Sequence, residues 1–212
     1  MRFPFVSCFA FVILACCKQG SEVHHDPATP LHVVWDITRE ASDVIVSYRV
    51  ENRSDQQLLV LDDVVEKYGP GYAVFPERAI IHYSPTEKRV VFLAGQLPSV
   101  NAVPAGSFIA VDFETMPAAR PIGPGQSLTG KKRVPLPLAP WHPDLEPAVM
   151  EPIPSGVTEA ILEIDWLPRS PPDGVFPWRK VPAESGGTLE MVSEPFVRQS
   201  KQTARGPALR IP

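Results

Sequence analysis

Hydrophobic and polar positions alternate with a period of two along much of this chain. Leu31, Val33, Trp35 and Ile37 alternate with His32, Val34, Asp36 and Thr38, which puts the first set on one face of a strand. After a turn at Ala41-Ser42-Asp43, the residues Val44, Val46, Tyr48 and Val50 alternate with Ile45, Ser47, Arg49 and Glu51. Asn52-Arg53-Ser54-Asp55 closes that strand, because such side chains bond their own backbone in turns. Leu58-Leu59-Val60-Leu61 reads as a short buried strand. Two apolar runs, 79–83 and 89–93, flank the polar residues 84–88 and predict a hairpin. Further strands are predicted over 107–113, 134–138 and 188–192, with Gly123-Pro124-Gly125-Gln126 as the turn that feeds the second of these. Ala160, Leu162, Ile164 and Trp166 alternate with Glu159, Ile161, Glu163 and Asp165. That pattern predicts a centrally paired strand with one polar face.

Proline changes the picture between these strands. The chain holds 26 prolines in 212 residues, well above the average of about 5%. They concentrate in the second half, where fixed φ and a missing donor disfavour helices. Three segments read as long proline-rich loops: 116–125, 140–156 and 168–182. The expected fold is all-β, a single antiparallel sandwich of about seven to nine strands. The order of strand, turn, longer strand, polar turn and apolar strand over 31–62 resembles the opening of immunoglobulin-like domains of bacterial envelope proteins. The resemblance implies an immunoglobulin-like β-sandwich.

The N-terminus has a different character. Met1-Arg2 precedes an apolar run to Ala15, shorter than the ~20 residues that span a bilayer as a helix. One positive charge before a short apolar run is the pattern of a secretory signal. Its end, Ile13-Leu14-Ala15-Cys16, resembles the bacterial lipobox. The resemblance implies lipidation at Cys16, with Cys17 as the second choice, and anchoring in the cell envelope. Neither Cys17 nor Lys18 is the aspartate that marks inner-membrane retention in the best-known systems, so the resemblance leans to the outer membrane. The chain divides into a signal over 1–16, a linker over 17–30, a domain over 31–193 and a mobile basic tail over 194–212.

Charge and chemistry narrow the function classes. The net charge is −4 and becomes −5 when Arg2 is lost with the signal, which disfavours nucleic acid as a partner. All three cysteines, Cys8, Cys16 and Cys17, lie at or before the tether. The domain therefore offers no thiol for catalysis, zinc or iron–sulfur binding, and no pattern calls for a cofactor. Asp62, Asp63 and Glu66 read as a solvated acidic face, and Lys131-Lys132-Arg133 as charges guarding a strand edge. No nucleophile elbow, metalloprotease motif, Walker loop or dinucleotide fingerprint occurs. The expected role is a non-catalytic binding or assembly module. Trp141, His142, Trp178 and Arg179 in the proline-rich loops would meet an envelope protein, peptide or glycan, since tryptophan and arginine anchor such contacts. The alternative is an envelope hydrolase with His142 and Asp144 at its site.

Overall fold

The computed structural model describes residues 29–68, 71–74, 78–95, 115–142, 148, 150–169, 178–182, 188–192 and 201–212. The expected signal, its lipobox, nearly all of the linker and the strand expected over 107–113 lie outside them. Along the chain the strands are β1 (Leu31–Glu40), β2 (Asp43–Asn52), β3 (Leu58–Tyr68), β4 (Gly71–Val74), β5 (Ile80–Ser84), β6 (Arg89–Leu93) and β7 (Thr115–Ile122). They continue with β8 (Ser127–Pro135), β9 (Glu159–Pro168), β10 (Trp178–Pro182), β11 (Thr188–Val192), β12 (Gln202–Arg205) and β13 (Leu209–Arg210). No α-helix occurs among the described residues.

The strands form two sheets. One is three-stranded, in the order β1-β2-β8, and antiparallel throughout. The other is ten-stranded, with β10-β11-β7-β3-β9-β6-β5 as its main path. It is mixed, because β6 runs parallel to β9. That pair departs from the purely antiparallel expectation. β9 is paired along both edges: β3 and β6 share one, end to end, and β12 and β13 take the other.

The alternation in β1 and β2 decides how the sheets meet. Leu31, Val33, Trp35, Ile37, Val44, Val46, Tyr48 and Val50 are buried in one cluster with Leu58, Val60, Phe92, Leu162, Ile164 and Trp166 of the larger sheet. Trp35 and Phe92 meet edge to face with ring centroids 6.3 Å apart, a favoured aromatic geometry. The indole N–H of Trp35 donates to the Pro207 carbonyl at 2.7 Å. The far face of the larger sheet is also buried, at Leu59, Leu61, Ala119 and Leu167 and at Val64, Ile80, Val91, Leu93 and Ile161. β9 is therefore buried on both faces.

Two turns follow from their sequences. Asn52 is fully buried; its side-chain amide donates to the Gln56 and Ile122 carbonyls, and its side-chain oxygen accepts from the Ser54 amide and hydroxyl. Gly123 to Gln126 closes with a 3.1 Å backbone hydrogen bond, and Gly125 has φ 69°, a conformation that favours glycine after proline.

Four further expectations are corrected. The segment 116–125, expected as a loop, is mostly strand β7. Pro117 and Pro121 flank the short ladder that Ala118 and Ala119 make with β11, so their missing donors fall beyond it. Trp178–Pro182, expected within the loop 168–182, is strand β10 paired with β11. Residues 201–212, expected as part of a mobile tail, carry β12 and β13 along β9. Two of the charges there are counterions. Arg205 pairs with Glu163 and Glu87, and Lys201 lies 3.1 Å from the buried Asp165.

The fourth correction concerns the acidic and basic clusters. Asp62 is fully buried and Lys132 is 3% exposed. A register shift between Leu61 and Asp63 marks this point of β3, and Asp62 faces the layer between the sheets. Arg120 of β7 donates to both Asp62 carboxylate oxygens. The Tyr48 hydroxyl of β2 donates to the same carboxylate at 3.1 Å. Lys132 of β8 donates to the Asp62 carbonyl at 2.5 Å and to the Asp63 carboxylate at 2.8 Å. Lys131 and Arg133 point outward, as alternation along β8 requires. Opposite Tyr48 in the register stands Gly130. A Cβ there would lie 2.1 Å from the Tyr48 ring, so only glycine leaves the ring its place.

Breaking one partner of a buried ion pair costs about 3–5 kcal/mol, because the other charge stays buried without compensation. Asp62→Asn should therefore lower unfolding free energy by roughly that amount in urea titration, whereas Tyr48→Phe should cost about 1–2 kcal/mol. A loss below about 0.5 kcal/mol for Asp62→Asn, the range of ordinary surface changes, would show that the pair is not a structural tie.

Candidate functional site

The outer edge of β5 carries the first candidate. Ile81 and Trp141 exchange two backbone hydrogen bonds, each 2.9 Å, so residues around 141 close that edge as an isolated bridge. Proline at position 140 keeps the approach extended. The Trp141 ring is half-buried against the apolar clusters on both sides of the larger sheet. The Arg78 guanidinium stacks over it, 4.1 Å from the ring centroid, within cation–π range. Burial lowers the Arg78 pKa from its ordinary value. Arg78 also forms a parallel bridge with Arg133 of β8, so one short segment touches both sheets. The pair presents a cation over an aromatic face beside a sheet edge.

His142 follows Trp141 but turns inward and is 6% exposed. Burial lowers its pKa from 6.5 to about 4, so the ring is neutral near pH 7 and a weak base. Asp144, its expected companion in a hydrolytic site, lies outside the described residues.

Trp178 and Arg179 stand elsewhere. They belong to β10, at the opposite end of the strand path from β5, with β11, β7, β3, β9 and β6 between. Their side chains lie outside the described residues. Along that path, the four residues singled out in the sequence form two separate pairs.

Arg78 is the residue that sequence reasoning missed. No periodic pattern includes it, and its aromatic partner lies 63 positions later. A concavity of about 340 Å³ lies between the β5–β6 turn and residues 155–159, with Tyr83, Lys88 and Gly156 on its walls. It is shallow and polar. Arg89 is engaged with Glu159 at 2.8 Å, and Glu87 with Arg205 at 2.8 Å.

Among the buried polar groups, the phenol of Tyr48 is pushed well above its ordinary pKa, first by burial and then by the charge of Asp62. Burial also raises Asp63, against the opposing pull of Lys132. At Arg120 burial pulls the pKa down, but hydrogen bonding and attraction from Asp62 outweigh it and the net shift is upward. The Tyr48 phenol is therefore held neutral and the Arg120 guanidinium cationic near pH 7. Among the described residues, no three His, Cys, Asp or Glu side chains gather as a metal site.

The depressed pKa of His142 gives a signed prediction. The unfolded chain takes up a proton near pH 6.5 and the folded chain only near pH 4, so stability is lost as pH falls through that window. Wild type should lose up to about 1.4 kcal/mol per pH unit more than His142→Phe across it, with parallel curves above pH 7. Parallel denaturation curves across the whole window would contradict the assignment. Comparison with protein-family models, curated proteins and solved structures finds no match to this chain.

Proposed function

We propose that this chain is a lipid-anchored envelope protein whose β domain is a non-catalytic binding or assembly module. In this reading Cys16 carries the lipid, at the outer membrane, and the two sheets form an immunoglobulin-like sandwich. The observation that carries the binding role is the Arg78–Trp141 pair, an exposed cation stacked on a half-buried indole at a sheet edge. Arginine and tryptophan are the residue types that dominate contact energies. A stacked guanidinium keeps its donors free to meet a carboxylate or a polar backbone. The buried acids support the reading from the other side. Asp62, Glu163, Asp165 and Glu190 are each engaged by a basic partner within the fold. Burial of His142 gives the hydrolase alternative no surface-exposed base at that position.

Crosslinking in whole cells, followed by membrane fractionation, tests the proposal. Wild type and Arg78→Glu should both sediment with membranes, and Arg78→Glu should lose the crosslinked species. Identical species from both would contradict the binding role. Recovery of wild type in the soluble fraction would contradict the anchor.

A further inference from the structure

β1 is an edge strand. It pairs with β2 along all of Leu31–Glu40, and no strand pairs with its other side among the described residues. The register shows which backbone groups face outward. Ala41-Ser42 is a two-residue turn, so Glu40 and Asp43 flank it as a hydrogen-bonded pair. The Arg53 amide donates to the Pro30 carbonyl at 2.7 Å, whereas the Asn52 amide donates towards β8, to Gln126, at 3.0 Å. All three observations give the same phase. Even-numbered residues of β1 turn their amides and carbonyls to β2. Leu31, Val33, Trp35, Ile37 and Arg39 turn theirs outward.

Three other edges are met by further chain. β8 is bridged at Arg133 by Arg78, β5 at Ile81 by Trp141, and the free side of β9 by β12 and β13. Natural edges are commonly guarded by proline, a bulge or an inward charge. β1 has no proline and runs ten residues without a register shift. Its solvent face carries Val34, 51% exposed, the exposed large hydrophobic side chain among the described residues.

We infer that β1 is a self-association edge, on which a second copy of this chain adds its own β1 antiparallel about a two-fold axis through Val34. Such an interface is isologous and extends the three-stranded sheet across the axis. Charge complementarity selects this register. With Val34 opposite Val34 of the second copy, His32 stands opposite Asp36. His32 lies 3.8 Å from Glu51 across the β1–β2 pair, and its imidazole can meet the Asp36 carboxylate as a hydrogen-bond donor. On the inner face Val33 meets Trp35 and Leu31 meets Ile37, and all four use outward backbone groups. An axis through Asp36 would set two carboxylates face to face, which is destabilising. An axis through Trp35 would set Val34 against Asp36 and His32 against Thr38, with no opposite charges. An edge contact of this kind is small, so association should depend on concentration.

Facing residues of a non-hydrogen-bonded antiparallel pair have Cα atoms about 4.5 Å apart, within disulfide range. The test uses the full chain with Cys8, Cys16 and Cys17 replaced by serine. Under mild oxidation Val34→Cys should give a covalent dimer of about 47 kDa, twice the 23.3 kDa chain. Thr38→Cys should not, because it would face residue 30. In sedimentation the chain with valine at 34 should shift to the dimer mass as concentration rises. Val34→Lys should stay at the monomer mass with an unchanged melting temperature. The inference is overturned if Val34→Cys remains monomeric, if Thr38→Cys crosslinks as readily, or if Val34→Lys sediments like the parent.

Discussion

A carboxylate sealed between two sheets is tolerable only when its charge is matched, and Asp62 sets that condition for this fold. The cluster around it draws on four strands. Arg120 on β7 and the Asp62–Asp63 pair on β3 belong to the larger sheet. Tyr48 on β2 and Lys132 on β8 belong to the smaller one. Two acids face two bases, so the cluster is neutral as a unit. Desolvating an ion costs several kcal/mol even after relaxation, and good geometry with extra hydrogen bonds is needed to offset it. The cluster therefore contributes less to raw stability than to registry. A one-residue slip of β8 would turn Lys132 to solvent and leave Asp63 without its base. The apolar layer around Trp35, Phe92 and Leu162 supplies the driving force, and the charges select one alignment of the two sheets.

The same logic recurs on the far side of the larger sheet, at longer range in sequence. Glu163 and Asp165 lie on a strand buried on both faces, and their counterions, Arg205 and Lys201, arrive from the C-terminal segment. Arg205 is held protonated: burial opposes its charge, but Glu163 and Glu87 outweigh that effect. Glu190 of β11 is matched by Arg169 at 2.9 Å. With these charges engaged inside the fold, the chemistry presented outward is narrow. Among the described residues, the stacked Arg78–Trp141 pair and the unpaired side of β1 are presented outward.

Much of this was legible in the sequence where alternation was clean. β1, β2 and the β5–β6 hairpin follow from period-two patterning, and the turns at Asn52 and Gly125 from their residue types. The rest was hidden for physical reasons. An aspartate pair at the end of an apolar run reads as an exit to solvent, because its bases, Arg120 and Lys132, lie some 58 and 70 positions away. β7 was hidden by its prolines, which block a central strand only where a partner needs their missing donors. The terminal strands were hidden because basic residues look solvated until the carboxylates they neutralise are seen. For the candidate site, sequence pointed to Trp141 but not to Arg78, and it placed His142 at the surface rather than inside.

The central claim is that Asp62 and Arg120 act as one unit between the sheets. A double-mutant cycle on unfolding free energy with Asp62→Asn, Arg120→Met and the double variant tests it most directly. The account predicts non-additivity of about 1–3 kcal/mol, the double variant being less destabilised than the sum of the single ones. Additivity within about 0.5 kcal/mol would contradict it.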